Sequence, residues 1–207
     1  MKLILVRHVQ TIKNKENLAQ GLSDSDITEE GLKQIELTRD YLKKYKIDKA
    51  FCSPRGRAKK TAEGILKPHK IKVCSDERLS ELDWGDWSDL DAHELMARWA
   101  KYYESEKKRG VRREDIRPPK GENAFDHMKK IKSFLKDNVL GKDYKTVLIV
   151  AHSGTNKVII GLLRNVDPEE FYKIEQRNAC INFLEIDKNG GLLSAQLNIT
   201  DHLSDRN

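Results

Sequence analysis

Residues 146–154 read Thr-Val-Leu-Ile-Val-Ala-His-Ser-Gly. An unbroken apolar run between Lys145 and His152 is the pattern of a strand covered on both faces, as parallel sheets require. The His-Ser-Gly that follows opens a segment in which Val158, Ile159, Leu162 and Leu163 recur at helical spacing. A buried strand running straight into a helix is the unit of an α/β fold with a largely parallel sheet.

The rest of the chain extends that pattern. Residues 2–6 form a second short apolar run, and residues 50–52 and 71–74 read as further strands. Thr28 is placed to N-cap a helix whose apolar positions are Leu32, Ile35, Leu42 and Tyr45. Pro54 and Arg55 open a helix expected to reach about residue 67, and further helices are expected over about 90–108 and 123–135. Residues 180–186 and 192–197 flank Asn189-Gly190-Gly191, a hairpin signal. The expected architecture is a three-layer α/β sandwich, with a mostly parallel central sheet flanked by helices. It is read as one domain over 1–207, with a helical insertion or lid at about 86–122.

Composition sets bounds on partners. The chain has 207 residues, a formal charge of +6, and 35% charged residues. Lys and Glu alternate on what read as helix exteriors, and no like-charge run is long enough to be a basic tail. No aromatics interleave with a basic stripe, so a nucleic-acid partner is not expected. Cys52, Cys74 and Cys180 are widely spaced and form no CxxC pair, which suits reduced thiols in a cytoplasm. The first apolar run is too short for a signal peptide or a membrane span, so no membrane partner is expected.

In open parallel sheets the site lies beyond the carboxyl ends of the strands. Arg7 and His8 end the first strand, Ser53 to Arg57 follow the second, and His152 ends the strand at 146–151. Three titratable clusters thus converge on one sheet edge. Arg7 and Arg57 suit a phosphate dianion, whose oxygens match the guanidinium fork. His8 and His152 are candidates to stabilise those oxygens or to attack phosphorus. A leaving alkoxide needs a proton, which Glu81 or Asp83 could supply from an aromatic-rich segment. The residues alone do not choose between these two.

Leu-Val-Arg-His-Val-Gln-Thr at 5–11 resembles the RHG(x)T signature of the histidine phosphatase superfamily, the phosphoglycerate mutase-like proteins. The resemblance continues through Asn14, Gln20-Gly21 and Asp26-Ile-Thr-Glu-Glu-Gly31. It is carried further by Cys-Ser-Pro-Arg-Gly-Arg-Ala-Lys-Lys-Thr-Ala at 52–62, by residues 79–87 and by Pro119-Lys-Gly-Glu-Asn123. Val-Ala-His-Ser-Gly at 150–154 completes it. It implies that His8 is the phosphorylated nucleophile and that Arg7, Arg57 and His152 bind the phosphoryl group, with Asn14 assisting. Gln20 and Gly21 belong to the same substrate-binding set. Glu81 would be the proton donor, and Ser153 and Gly154 would add contacts at a helix N-terminus. The implied enzyme is a metal- and cofactor-free phosphatase acting on a small phosphorylated metabolite. Family likeness also suggests a homodimer.

Two positions depart from the pattern. Val9 replaces the usual glycine, and a β-branched side chain there is able to crowd a bound phosphate. Arg55 stands where an apolar residue is usual and is expected to point outward. Chain length favours a phosphatase over a mutase. Arg112 and Arg113 faintly resemble a mutase arginine pair but are expected to be a solvated basic loop. A weakened binding protein on the same fold is the further alternative, and Val9 is its one support. His202 is expected to be structural or at the surface, and the aromatics from Trp84 to Tyr103 are expected to be core or lid.

Overall fold

The structure is a computed structural model that describes residues 1–171 and 173–204, with Glu169 described by its backbone alone. Six strands form one sheet: β1 (Lys2–Arg7), β2 (Lys49–Cys52), β3 (Val73–Ser75), β4 (Thr146–Ala151), β5 (Ile181–Ile186) and β6 (Leu192–Ile199). Their order is β3-β2-β4-β1-β5-β6. The first four in that order run parallel, while β5 and β6 are antiparallel additions at one side. The sheet is therefore mixed but parallel through its centre. The helices are α1 (Ile12–Lys15), α2 (Glu29–Leu42), α3 (Gly56–Leu66), α4 (Ala92–Lys108), α5 (Ala124–Asn138), α6 (Ser153–Arg164) and α7 (Pro168–Phe171).

Alternation along the central strands builds the three layers. Leu3, Leu5, Val147 and Ile149 point to the face covered by Ile131 and Phe134 of α5 and Ile159 of α6. Ile4, Val6, Leu148 and Val150 point to the other face, against Leu42 of α2 and Ala62 and Ile65 of α3. All eight strand side chains have 0% exposure. Each contributes roughly 1.5–3 kcal/mol of burial relative to an exposed position.

Helix ends follow local chemistry. The Thr28 side chain accepts from Gly31 N–H and caps α2 as expected. Asp91 caps α4 through the N–H groups of His93 and Glu94, and Asn123 caps α5 through Asp126 N–H. Three expectations shift. Tyr45 is not helical: α2 stops at Leu42, and Tyr45 packs on Phe183 with centroids 5.2 Å apart. Leu32 lies on α2 but is 55% exposed. The third strand is Val73–Ser75 rather than 71–74, because pairing with β2 sets its bounds. The hairpin turn forms as read, with Asp187 Oδ1 accepting from Asn189 and Gly191 N–H. Among the described residues no helix is long and apolar enough to cross a membrane.

His202 is buried, its Nε2 3.1 Å from Thr38 Oγ1 and its ring 5.2 Å from Tyr41. Burial pushes its pKa down to about 4. The unfolded imidazole takes its proton near the ordinary value of about 6.5, so the neutral ring stabilises the fold fully above that pH. That stabilisation is lost as pH falls toward about 4. Thermal melts across this window should show a falling Tm, and His202→Phe should reduce the fall. Equal losses in both proteins would assign the effect to other groups.

Candidate active site

Strand register brings the site together. β1 and β4 pair Arg7 with Ala151, and β2 and β4 pair Cys52 with Val150. The ladder continues one residue further, through His8 N–H to Ala151 O (2.9 Å) and Ser53 N–H to Val150 O (3.0 Å). His8, Ser53 and His152 therefore leave the sheet side by side. A pocket of about 360 Å³ opens there, with Arg7, His8, Asn14, Gln20, Gly21, Arg57 and Glu81 in its wall.

His8 has a defined tautomer. Its Nδ1 lies 2.8 Å from the carbonyl oxygen of Val9, which can only accept, so Nδ1 carries the proton. Nε2 is left with a lone pair, toward which Arg57 Nε–H points at 3.2 Å. Burial, then Arg57 and Arg7, hold the His8 imidazole well below its ordinary pKa. The ring is neutral at neutral pH. His152 lies beside it, ring centroids 5.2 Å apart, with Nε2 2.8 Å from Ser53 Oγ. Burial and Arg57 lower its pKa in the same direction.

Arg57 is 2% exposed. Nη1 donates to Ser23 O (2.6 Å) and Asp24 Oδ1 (3.3 Å), and Nη2 donates to Gly21 O (2.8 Å). Gly21 takes φ +52, a left-handed value that turns the loop back onto the guanidinium. Asp24 also accepts from the Gly56 and Arg57 N–H groups and so caps α3, whose own N-cap residue Arg55 makes no side-chain capping bond. Arg7 donates from Nη1 to Gln176 O (2.6 Å). Two buried atoms beside these groups, Arg7 Nε and His152 Nδ1, have no protein partner.

The two carboxylates stand in different surroundings. Glu81 lines the pocket and accepts from Leu82 N–H (3.0 Å) and Gly154 N–H (2.9 Å). Asp83 instead accepts from Gly85 N–H in its own turn. Gly154 N–H is thus taken by Glu81, and neither Ser153 nor Gly154 lines the pocket, contrary to the expected phosphate contacts. Asn14 Oδ1 is committed to Thr11 and Asn178, which leaves its Nδ2 end for a ligand. Gln20 Nε2 donates to the same Thr11 hydroxyl (2.9 Å).

Val9 does not line the pocket. Its side chain is fully buried with Ile35 and Ala179, against Ile27 and Leu203. Arg55 turns away to Glu77 at 3.0 Å. Arg112 is exposed and paired with Asp115, and Arg113 lies over Phe125 at 5.8 Å; neither lines this pocket.

Some contributors carried no motif. Asn178 lines the pocket and bridges His8 O and Asn14 Oδ1. Gln176, which receives Arg7, forms a reciprocal amide pair with Asn182 (2.8 and 2.9 Å) and accepts from Asn156 (3.3 Å). The available signal was an amide inside each of two apolar elements, Asn156 on α6 and Asn182 on β5. Among the described residues no three His, Cys, Asp or Glu gather as metal ligands.

A pocket with two guanidiniums and a neutral histidine, at the carboxyl edge of the sheet's parallel centre, has the charge to receive a phosphoric monoester. The family model of the histidine phosphatase superfamily (branch 1) matches residues 3–199. The chain belongs to that superfamily, and its class is phosphoric monoester hydrolase. It is 29% identical to phosphoserine phosphatase 1 of Hydrogenobacter thermophilus, over 99% of this chain and 95% of that one. It is 30% identical to a Schizosaccharomyces pombe phosphoglycerate mutase, over 94% of each. The fold matches the crystal structure of the Shigella flexneri α-ribazole phosphatase with a TM-score of 0.83, at 24% identity and 96% coverage of each chain.

Asp24→Ala should lower stability by about 1 kcal/mol through loss of the α3 cap. It should also weaken binding of inorganic phosphate severalfold by loosening Arg57. Denaturant unfolding and phosphate titration would read the two effects. Unchanged phosphate affinity would show that Arg57 does not depend on Asp24.

Proposed function

We propose that this chain is a phosphatase that hydrolyses small phosphate monoesters through a phosphohistidine on His8, without a metal. The observation that carries this reading is the His8 hydrogen-bond pattern. Nδ1–H is tied to Val9 O, so the Nε2 lone pair is the basic end of the ring, and it accepts from Arg57 Nε–H at 3.2 Å, a bond that yields to phosphorus when the ester binds. A phosphoryl group in that place has a nucleophile on one side and cationic donors around its oxygens. Arg7 Nε and His152 Nδ1 supply buried donor or acceptor capacity without a protein partner, and Asn14 Nδ2 adds a third group.

In the first step His8 Nε2 bonds to phosphorus as the ester P–O bond breaks. Glu81, as the acid, gives its proton to the leaving alcohol oxygen. In the second, water attacks the phosphohistidine, the N–P bond breaks, and Glu81 takes the proton from water. The products are the alcohol and inorganic phosphate, with His8 and Glu81 restored. Arg7 and Arg57 neutralise the transferring group in both steps, the work a metal does elsewhere. The phosphoserine phosphatase relative supports hydrolysis of a small phosphorylated metabolite. The mutase reading drew on Arg112 and Arg113, which stand outside the pocket wall.

Purified protein with chelator present should release phosphate from 4-nitrophenyl phosphate, and His8→Ala should lose that activity by at least about a thousandfold. Full activity in His8→Ala, or none without added metal, would sink the reading. Glu81→Gln should slow turnover by about 10²–10⁴-fold and less so for good leaving groups. NMR titration of the free protein should find the His8 ring still neutral at its ordinary pKa of about 6.5, because burial and the two arginines hold its own value well below.

A further inference from the structure

We propose that the substrate's alcohol portion is an uncharged, ring-bearing group whose flat face lies on Trp84. The inference rests on the phosphohistidine reading of this same pocket and concerns the half of it that the phosphoryl group does not occupy. The charged side chains of the pocket wall, Arg7, Arg57 and Glu81, all serve the phosphoryl half. The remaining wall is Leu18, Ala19, Trp84 and Ala92, with Asn17 and Asn178 as neutral polar groups. Lys157 senses the charges of Glu81 and Arg7 but does not line the pocket.

That wall is pre-built. Trp84 is half-buried, and its indole rests edge-to-face on Trp99, centroids 6.0 Å apart at 77°. Trp99 in turn contacts Trp87, Tyr102 and Tyr103, so the expected lid aromatics form a support behind one presented ring. The backbone under Trp84 is clamped. Gly85 takes φ +54, and a Cβ on it would lie 2.2 Å from Pro119 O, while Glu122 N–H bonds to Asp83 O (2.9 Å). The opposite loop is locked to the same segment by Ala19 N–H to Leu90 O (2.9 Å), Asp89 N–H to Ala19 O (2.7 Å) and Ala92 N–H to Asn17 O (2.8 Å). Ala19 and Ala92 share the pocket wall with this supported indole, and their small side chains fill little of the space that the wall encloses.

Such a space recognises a planar or ring-shaped partner. Aromatic rings and sugar faces lose little entropy on stacking, and an indole offers the largest π-face. The pocket volume, about 360 Å³, accommodates a phosphoryl group with one or two rings. An alcohol carrying a free carboxylate or ammonium would set that charge against this neutral wall without a counter-ion, at a desolvation cost.

The test compares kcat/KM for 4-nitrophenyl phosphate, a nucleoside 5′-monophosphate and glucose 6-phosphate with values for phosphoserine, 3-phosphoglycerate and glycerol phosphate. Ring esters should exceed open-chain esters by roughly tenfold or more, and the three ring types show whether the pocket favours an aryl, nucleoside or hexose face. Trp84→Ala should lower the ring esters by a similar factor, mainly through KM, with glycerol phosphate falling far less. Trp84→Phe should recover most of the loss. Phosphoserine or 3-phosphoglycerate as the best substrate would overturn the inference while leaving the phosphohistidine reading intact. So would an equal fall of ring and open-chain esters in Trp84→Ala. Failure of every ester to phosphorylate His8 would overturn both.

Discussion

The parallel register of β1, β4 and β2 pairs Arg7 with Ala151 and Cys52 with Val150, and the site inherits its geometry from that pairing. A slip of one residue would turn each strand's apolar set to the wrong face. It would also carry Arg7 and His8 away from His152. Because every central strand is buried on both sides, the cores formed with α2 and α3 and with α5 and α6 both resist such a slip. Core packing and site assembly are one constraint.

A buried and a half-buried guanidinium beside two buried imidazoles would be costly if left unpaired. The fold offsets that cost with oxygens rather than by spreading the charges. Gly21, Ser23 and Asp24 surround Arg57, and the Gln176 carbonyl receives Arg7. The arginines keep both histidines neutral, reinforcing desolvation. Concentrated positive charge thus suits the pocket to an anion and keeps a neutral imidazole beside it. The amide network of Asn156, Gln176 and Asn182 fixes the carbonyl that receives Arg7, at a distance from any reacting atom.

The segment that departs most from strand–helix alternation, residues 86–122, contributes Ala92 to the pocket wall and packs Trp99 on Trp84. Helix α4 carries Trp99 and sets the indole of Trp84, while Arg112 and Arg113 remain outside the pocket. In the pocket wall Arg7 and His8 come from the end of β1 and Arg57 from α3, while Leu18, Ala19 and Trp84 come from loops and Ala92 from the start of α4.

Buried strands 2–6 and 146–151 were legible because continuous apolar runs have one stable environment in a domain of this size. The gathering of Arg7, His8, Arg57 and Glu81 at one pocket, with His152 beside His8 but outside the pocket wall, was legible because each sits in a motif just after a strand or within a recognisable segment. Tyr45 and Leu32 were misread because helical spacing does not say where a helix stops or how wide its covered stripe is. What replaced Gly154 as an open donor, and where Val9 points, depended on neighbours 73 residues away at Glu81 and on the packing of Ile35 and Ala179. The sequence by itself determined which chemistry-bearing groups stand at the strand ends, since strand patterning and residue type are local. Only the tertiary structure decided the His8 tautomer, the capture of Arg57 by the 21–24 loop and the Trp84 wall. Each of these is made by hydrogen bonds or ring contacts between segments that no local pattern brings together.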